Sequence, residues 1–264
     1  MTSRLAGQPV RAVLLDYGGT LTTFRRPDGS LREAYAAIHS RLIAAGFRPP
    51  PADDLVRDVH DRVEEEFARH LESGSLEEMD LVAAARRAYR DLGLAVAQQT
   101  LDEFLHLEQL AWWQGVSVDP DAVATLAELR SAGLRLGLCS NAPYRVRSMA
   151  AQVEHFGLAQ HLDAITFSAA VGWRKPDGRI YAAALAAIGA APSETVMVGD
   201  SEEHDIAGAH RAGLRAVLYR RDAGEAVTEA DAVIRRLAEL PLLLGVVRGA
   251  YTGGTGWSSA ESRT

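Results

Sequence analysis

Short apolar runs alternate with helix-sized segments through the second half of this chain, and this alternation restricts the fold more than any other feature of the sequence. Two parallel strands of one sheet need a long, usually helical, connection between them. The alternation therefore predicts an α/β fold with a doubly wound parallel sheet and right-handed crossovers. The predicted strands cover 10–15, 134–139, 164–167, 195–198 and 216–219, with a further edge strand at 231–234.

The first half of the chain has a different pattern. From residue 31 to residue 114, apolar residues recur at three- and four-residue spacing with many charges between them, which is typical of amphipathic helices. We predict a helical domain over 25–114, inserted into a sheet domain made of 1–24 and 115–248. The Thr-, Gly- and Ser-rich segment 249–264 is predicted to be a disordered tail. The predicted helices of the insert cover 31–45, 53–71, 76–92 and 100–113.

The overall charge and composition favour a small-molecule ligand. The chain is 47% hydrophobic and carries a net charge of −7, whereas nucleic acids and anionic membranes select for clustered Lys and Arg. We therefore expect neither of these as a partner. Cys139 is the only cysteine, and neither a leader sequence nor a bilayer-length apolar run is recognisable, so a cytoplasmic location is expected. The oligomeric state cannot be predicted from these patterns.

Polar residues stand where the predicted strands end. Asp16 ends the first apolar run and is followed by Gly18, Gly19 and Thr20. Ligands of an open α/β sheet bind at the carboxyl ends of its strands, which makes Asp16 a candidate functional residue. The same pattern is also typical of a simple turn. The pair Ser140-Asn141 follows the second run and could equally cap the next helix.

Two further junctions carry charged residues. Lys175 is the only lysine of the chain, and Asp200 and Asp205 follow the apolar run at 195–198. Acids at these positions could also be helix caps. If the sheet brings them together with Asp16, three carboxylates face one lysine. A hard divalent cation such as Mg²⁺ would balance that charge and leave a pocket that accepts an anion.

In order and spacing, these residues resemble the four motifs of the haloacid dehalogenase (HAD) superfamily of phosphohydrolases and related enzymes. The resemblance covers about residues 10–220 and implies a Rossmann-like core. The helical insert resembles the C1-type cap domain, which in this superfamily closes over the active site. The four matching segments are Asp16-Tyr17-Gly18-Gly19-Thr20, Ser140-Asn141, Lys175-Pro176 and the run from Gly199 to Asp205.

The resemblance implies hydrolysis of a small phosphorylated metabolite. Asp16 would attack phosphorus and form an aspartyl-phosphate, while Ser140 and Lys175 hold the transferring oxygens. The residues implied to orient the nucleophile or to bind the substrate are Thr20, Gly19 and Asn141.

A Mg²⁺ site is also implied by the resemblance. Its ligands would be the carboxylates of Asp16 and Asp200 and the backbone carbonyl of Gly18. Asp205 would act through a water molecule or as a supporting partner of the ligands.

The sequence departs from the family pattern at Gly18. Phosphatases of this superfamily usually have an aspartate there, which protonates the leaving group and then activates water. General acid–base catalysis is worth about 10²–10⁴-fold, so we expect weak phosphatase activity. One alternative is a retired or repurposed domain that binds a ligand or partner. A C–halogen hydrolase is less favoured, because the metal-free dehalogenases lack the acid that Asp200 supplies here.

Overall fold

The computed structural model describes residues 5, 9–222 and 228–246, so the predicted tail at 249–264 lies outside the described residues. Within them, strands and helices alternate after residue 115, as predicted. The strands are β1 (Ala12–Leu15), β2 (Thr22–Phe24), β3 (Val116–Val118), β4 (Arg135–Ser140), β5 (Ala164–Phe167), β6 (Thr195–Gly199), β7 (Arg215–Tyr219) and β8 (Ala232–Ile234).

Helices form most of the remaining regular structure. Those of the insert are α1 (Asp28–Ala44), α2 (Ala52–Leu55), α3 (Arg62–Glu72), α4 (Leu81–Asp91) and α5 (Gln98–Trp113). Those that follow are α6 (Ala122–Ser131), α7 (Val146–His155), α8 (Ser168–Val171), α9 (Gly178–Ile188), α10 (Gly208–Arg211) and α11 (Leu240–Leu243).

Six strands form one parallel sheet in the order β5-β4-β1-β6-β7-β8, which confirms the predicted α/β fold and the edge strand. All four side chains of β1 are fully buried, because strands inside such a sheet are covered on both faces. Alternate residues point to opposite faces. Val13 and Leu15 pack in the core cluster that includes α6 and α7, while Ala12 and Leu14 pack in the cluster that includes α9 and α10.

The insert has a hydrophobic core of its own, formed by buried residues of α1 to α5. A π-helical turn, Val56–Asp61, joins α2 to α3 within the helix predicted over 53–71. The helix predicted from residue 76 is wrong in its first turn. The chain becomes helical only at Leu81, because the side chain of Asp80 accepts a hydrogen bond from the Ala83 amide and caps the helix there.

A short ribbon that was not predicted joins the insert to the sheet. Strands β2 and β3 pair antiparallel, and beyond them the Arg25 amide donates to the Gly115 carbonyl over 2.8 Å. A Cβ atom on Gly115 would lie 1.9 Å from the Arg25 carbonyl oxygen, so only glycine permits this approach. The ribbon borders the boundaries predicted at residues 25 and 114, and the division into two domains stays a prediction.

A second connection holds the insert against the loop that precedes α9. The Arg174 amide donates to the Leu76 carbonyl over 3.0 Å, and the Glu78 amide donates to the Gly172 carbonyl over 2.9 Å. This pairing occupies the residues that a longer α4 would have used. It also fixes the backbone immediately before Lys175.

Among the residues described by the structure, no helix is both long enough and apolar enough to span a bilayer.

Replacing Gly115 by alanine is expected to destabilise the protein. The added methyl group would push apart the two chain segments that meet at Arg25 and Gly115. Overpacking of this kind costs about 1–3 kcal/mol. Gly29, in α1, has open space around its Cβ position, so Gly29→Ala should leave stability unchanged or raise it by up to about 1 kcal/mol. Urea unfolding of both variants measures the difference. Equal free energies of unfolding would contradict the close approach at Gly115.

Candidate active site

The candidate site lies at the carboxyl edge of the three central strands. Asp16 follows β1, Ser140 is the last residue of β4, and Asp200 follows β6. Because β4 and β6 are the two parallel neighbours of β1, these side chains meet at one edge of the sheet. The loop between α8 and α9 adds Lys175 to them.

Lys175 forms two buried ion pairs at this edge. Its Nζ atom lies 2.7 Å from Oδ1 of Asp16 and 2.5 Å from Oδ1 of Asp205. The lysine is only 2% exposed, and the two acids are 6% and 1% exposed. A compact ammonium group can donate to both carboxylates at once, whereas a planar guanidinium is larger and has a fixed donor geometry. This arrangement gives a physical reason why the only lysine of the chain stands here.

Asn141 holds the backbone of Lys175. Its Oδ1 atom accepts from the Lys175 amide over 2.6 Å, and its Nδ2 group donates to the Lys175 carbonyl over 3.0 Å. Both ends of the Asn141 side chain therefore fix the loop that presents the lysine. The predicted contact of Asn141 with a substrate stays a prediction.

The three acids predicted to bind a metal lie together. Asp16, Asp200 and Asp205 each offer a carboxylate oxygen, and these oxygens all lie within 4.8 Å of one another. Two glycines leave room for them. A Cβ atom on Gly19 would lie 2.3 Å from Oδ2 of Asp200, and one on Gly199 would lie 2.1 Å from Cγ of Asp205. Carboxylate oxygens grouped in this way suit a hard divalent cation.

Burial and like charge raise the pKa values of Asp16 and Asp200. Burial raises the pKa of Asp16 from 3.8 to about 6, with the Asp205 charge adding to the rise and the Lys175 charge opposing it. The pKa of Asp200 is also raised, again by burial first and then by Asp205. Burial lowers the pKa of Lys175, but the charges of Asp16 and Asp205 outweigh that effect and raise it. The lysine therefore stays charged, and the acids retain an excess of negative charge.

Asp205 is held by both of its oxygens. Oδ1 accepts from Lys175, and Oδ2 accepts from the Ser201 amide over 3.0 Å. The π-helical segment Glu202–Ala207 carries the residue, and the Ser201 hydroxyl caps that segment by accepting from the His204 amide. These contacts are compatible with the supporting role predicted for Asp205.

A polar cavity of about 230 Å³ opens above these residues. Arg174, Ser201 and His204 also line it, although the sequence reasoning did not select them. In the sequence, the one feature that could have identified Arg174 as a site residue is its position directly before the lone lysine. Seven of the nine predicted site residues line the cavity: Asp16, Gly18, Ser140, Asn141, Lys175, Asp200 and Asp205.

The other two predicted residues contact Asp200 instead. The Thr20 hydroxyl lies 3.5 Å from Oδ1 of Asp200, which makes at most a weak hydrogen bond. Gly19 has a φ angle of +87°, a conformation that favours glycine, and leaves the space that the Asp200 carboxylate fills. Both residues shape the position of Asp200.

Phe24 occupies space beside Gly18. A Cβ atom on Gly18 would lie 3.1 Å from Cε2 of the Phe24 ring, which is tighter than an ordinary contact. The ring meets Tyr17 edge-on at 5.8 Å and is 45% exposed, so it has room to turn away. An acid at position 18 would therefore require this ring to move.

A family model described as haloacid dehalogenase-like hydrolase matches residues 10–213. This chain belongs to that family. Membership confirms the resemblance seen in the four motifs and the prediction that the chain is a hydrolase of this family. The HAD cap subclass stays a prediction.

Three proteins illustrate the similarity within the HAD family. The chain is 42% identical over 102 residues to a phosphoserine phosphatase of Thermus thermophilus, across 39% of this chain and 40% of that protein. It is 29% identical over 222 residues to a glyceraldehyde 3-phosphate phosphatase of Methanopyrus kandleri, across 80% and 84%. The solved 2-haloacid dehalogenase of Pseudomonas syringae pv. Tomato DC3000 is 27% identical with a TM-score of 0.63, across 89% and 98%.

For several curated HAD relatives, the match spans only about half of their length. Both curated relatives named above are phosphatases, which does not favour the alternative of a retired HAD domain.

Removing the charge of Lys175 is expected to destabilise the protein strongly at pH 7. In Lys175→Met, two buried carboxylates lose their cation, and an uncompensated buried charge costs about 3–5 kcal/mol. The pKa of Asp16, which burial already raises, would rise further because the opposing Lys175 charge is gone. The folded variant would bind more protons than the unfolded one and recover stability as the pH falls from 7 to 5.

The matched control is Arg11→Met, which removes an exposed ion pair with Glu194 and should change stability by less than about 0.5 kcal/mol. Chemical denaturation in a metal-free buffer at both pH values measures these effects. A loss that is equal at pH 5 and pH 7 would contradict a charge imbalance as its cause.

Proposed function

We propose that this chain is a Mg²⁺-dependent phosphatase or phosphotransferase that acts on a small phosphorylated metabolite through an aspartyl-phosphate at Asp16. One observation carries the proposal. The Lys175 ammonium group lies between Asp16 and Asp205, with Asp200 beside them, on the wall of a polar cavity. A nucleophilic carboxylate next to a fixed cation is what transfer of an anionic phosphoryl group requires.

In the proposed reaction, a carboxylate oxygen of Asp16 attacks phosphorus. The bond between phosphorus and the alcohol oxygen breaks, and the alcohol leaves with the electron pair and takes up a proton. Water then attacks the phosphorus of the aspartyl-phosphate, which releases phosphate and restores the carboxylate. Lys175 remains protonated throughout, because its raised pKa opposes loss of the proton, and with Ser140 it would hold the phosphoryl oxygens.

The carboxylates fit a divalent cation by number, chemistry and spacing. Asp16, Asp200 and the Gly18 carbonyl would hold it directly, and Asp205 would do so through water. When bound, Mg²⁺ would neutralise charge that develops on the phosphoryl oxygens.

Similarity to a solved dehalogenase keeps one other reaction class in view, because Gly18 lacks the acid that is usual in phosphatases. The cluster of three acids argues against C–halogen hydrolysis. That reaction transfers no phosphoryl group, so it does not need a cation to neutralise phosphoryl charge. The two classes differ in a simple measurement, which is phosphate release with Mg²⁺ against halide release without it.

The test is a screen of phosphorylated metabolites with and without Mg²⁺, using the unmodified protein and Asp16→Asn. We expect Mg²⁺-dependent phosphate release that Asp16→Asn lowers by about 10³-fold or more, since the amide is a poor nucleophile. Asp28→Asn, which changes an exposed acid in α1, is the matched control and should keep full activity. If the protein released no phosphate from any ester, the proposal would be wrong. If it released halide from 2-chloropropionate without a metal, C–halogen hydrolysis would be the function instead.

Restoring an acid at position 18 is expected to raise activity most when the neighbouring ring is also removed. We expect the double variant Gly18→Asp/Phe24→Ala to hydrolyse benzyl phosphate about 10²–10⁴-fold faster than Phe24→Ala. Gly18→Asp alone should gain less, because its Cβ meets the Phe24 ring at 3.1 Å. The gain should be smaller with p-nitrophenyl phosphate, whose leaving group needs little protonation. Equal rates for the two variants that carry Phe24→Ala would show that the missing acid does not limit turnover.

A further inference from the structure

A second, larger cavity of about 360 Å³ adjoins the polar one. The two cavities share Gly18, Ser140, Asn141 and Arg174 in their walls. An ester whose phosphoryl group lies at Asp16 would therefore extend its organic part into the larger cavity. Arg174, which borders both spaces, has no role in the proposed reaction.

The Arg174 guanidinium lies against the insert. Its Cζ atom is 5.4 Å from the centre of the Phe67 ring of α3. Its Nη1 atom donates to Oε1 of Glu78, between α3 and α4, over 3.4 Å, which is long for a hydrogen bond. Lys175, the next residue, lies instead against Asp16. The two neighbouring cations therefore face different parts of a bound ester, Lys175 the phosphoryl group and Arg174 the organic part.

One edge of this guanidinium has no partner. The bond to Glu78 is the one hydrogen bond that the Arg174 side chain makes among the described residues. Arg174 is only 7% exposed, yet neither Nε nor Nη2 is among the fully enclosed polar atoms that lack a partner. Both atoms are therefore accessible, on a residue that lines both cavities. Together they form an edge that can bind a carboxylate through two parallel hydrogen bonds.

The charge of Arg174 is only partly compensated. Burial lowers the pKa of Arg174, and the opposing effect of the Glu78 charge does not restore it. Among the described residues that line the larger cavity, Arg174 is the only charged one. An anionic group in this cavity would therefore meet one cation and no acid in the wall.

We propose that Arg174 selects phosphate monoesters whose alcohol part carries a carboxylate, which the Nε–Nη2 edge binds. This inference rests on the proposed phosphatase function and names its substrate class, a small phosphorylated hydroxy acid. A neutral alcohol would leave the edge without a charged partner. Because Glu78 lies beside the guanidinium, a singly charged carboxylate meets less repulsion there than a second phosphate dianion would. The aromatic rings of Tyr17, Phe24 and Trp112 would contact the carbon chain between the two anionic groups.

The experiment compares the phosphate esters of three alcohols in the presence of Mg²⁺: 3-hydroxypropionate, 3-hydroxypropanamide and 1-propanol. The first two are close in shape and differ in charge. We expect kcat/KM to be highest for the carboxylate ester. Arg174→Met should lower that value by about 10–100-fold more than it lowers the value for the amide ester, because two hydrogen bonds to a charged group are lost.

Two further variants separate recognition from folding. Arg174→Met leaves the buried Glu78 without its cation, so Arg174→Met/Glu78→Gln is measured beside it and should lose the same preference. Arg174→Lys keeps the charge without the two-nitrogen edge and should retain only part of the preference. Arg179→Met, which removes an exposed arginine of α9 outside both cavities, is the matched control and should keep the full preference. Hydrolysis of p-nitrophenyl phosphate reports whether each variant is folded and active.

The outcomes separate this inference from the proposed function. If the unmodified protein prefers the amide or propyl ester, or if Arg174→Met lowers all three esters equally, the inference is overturned and the phosphatase function stands. If Arg174→Met does not fold, the double variant decides by the same criterion. If no ester, including p-nitrophenyl phosphate, releases phosphate, the proposed function fails and the inference fails with it.

Discussion

The two ion pairs of Lys175 are the constraint on which the site depends. Burying an ammonium group and two carboxylates is unfavourable unless each charge has close partners. The surrounding structure supplies them, because Asn141 fixes the lysine backbone and the Ser201 amide binds the second oxygen of Asp205. Even so, three acids exceed one lysine, and the raised pKa of Asp16 reflects its burial and that excess. This charge balance supports our proposal that the site receives a cation and an anion together.

Much of the core could be predicted from local sequence, because strand and helix periods and strand-end charges are local signals. The central strand β1 is a short apolar run, and the acid that directly follows it marks Asp16 as a candidate from sequence alone. The ribbon of β2 and β3 could not be predicted, since three residues are too few to show a period. The start of α4 was missed because Glu78 pairs with Gly172, which is distant in sequence. The position of Arg174 in the cavity wall depends on the same long-range pairing, because its amide donates to the Leu76 carbonyl.

The sheet and the insert contribute different parts of the same site. The sheet edge fixes the charged groups, and their identities follow from motifs that can be recognised in sequence. Gln109 and Trp112 of α5 line the cavity beside Gly18 but belong to no motif that can be recognised in sequence. Gly18 links the two parts. At this position the charged site lacks the acid that is usual in phosphatases of the family. The Phe24 ring occupies the adjoining space and lines the neighbouring cavity.

Trapping the covalent intermediate tests the account most directly. The protein would be mixed with p-nitrophenyl phosphate and Mg²⁺, quenched in acid within one turnover, digested and analysed by mass spectrometry. We expect a phosphoryl group on the peptide that contains Asp16, and none on that peptide from Asp16→Asn. Phosphate release at full rate with Asp16 unmodified, or with the phosphoryl group on a different residue, would contradict Asp16 as the nucleophile held by Lys175.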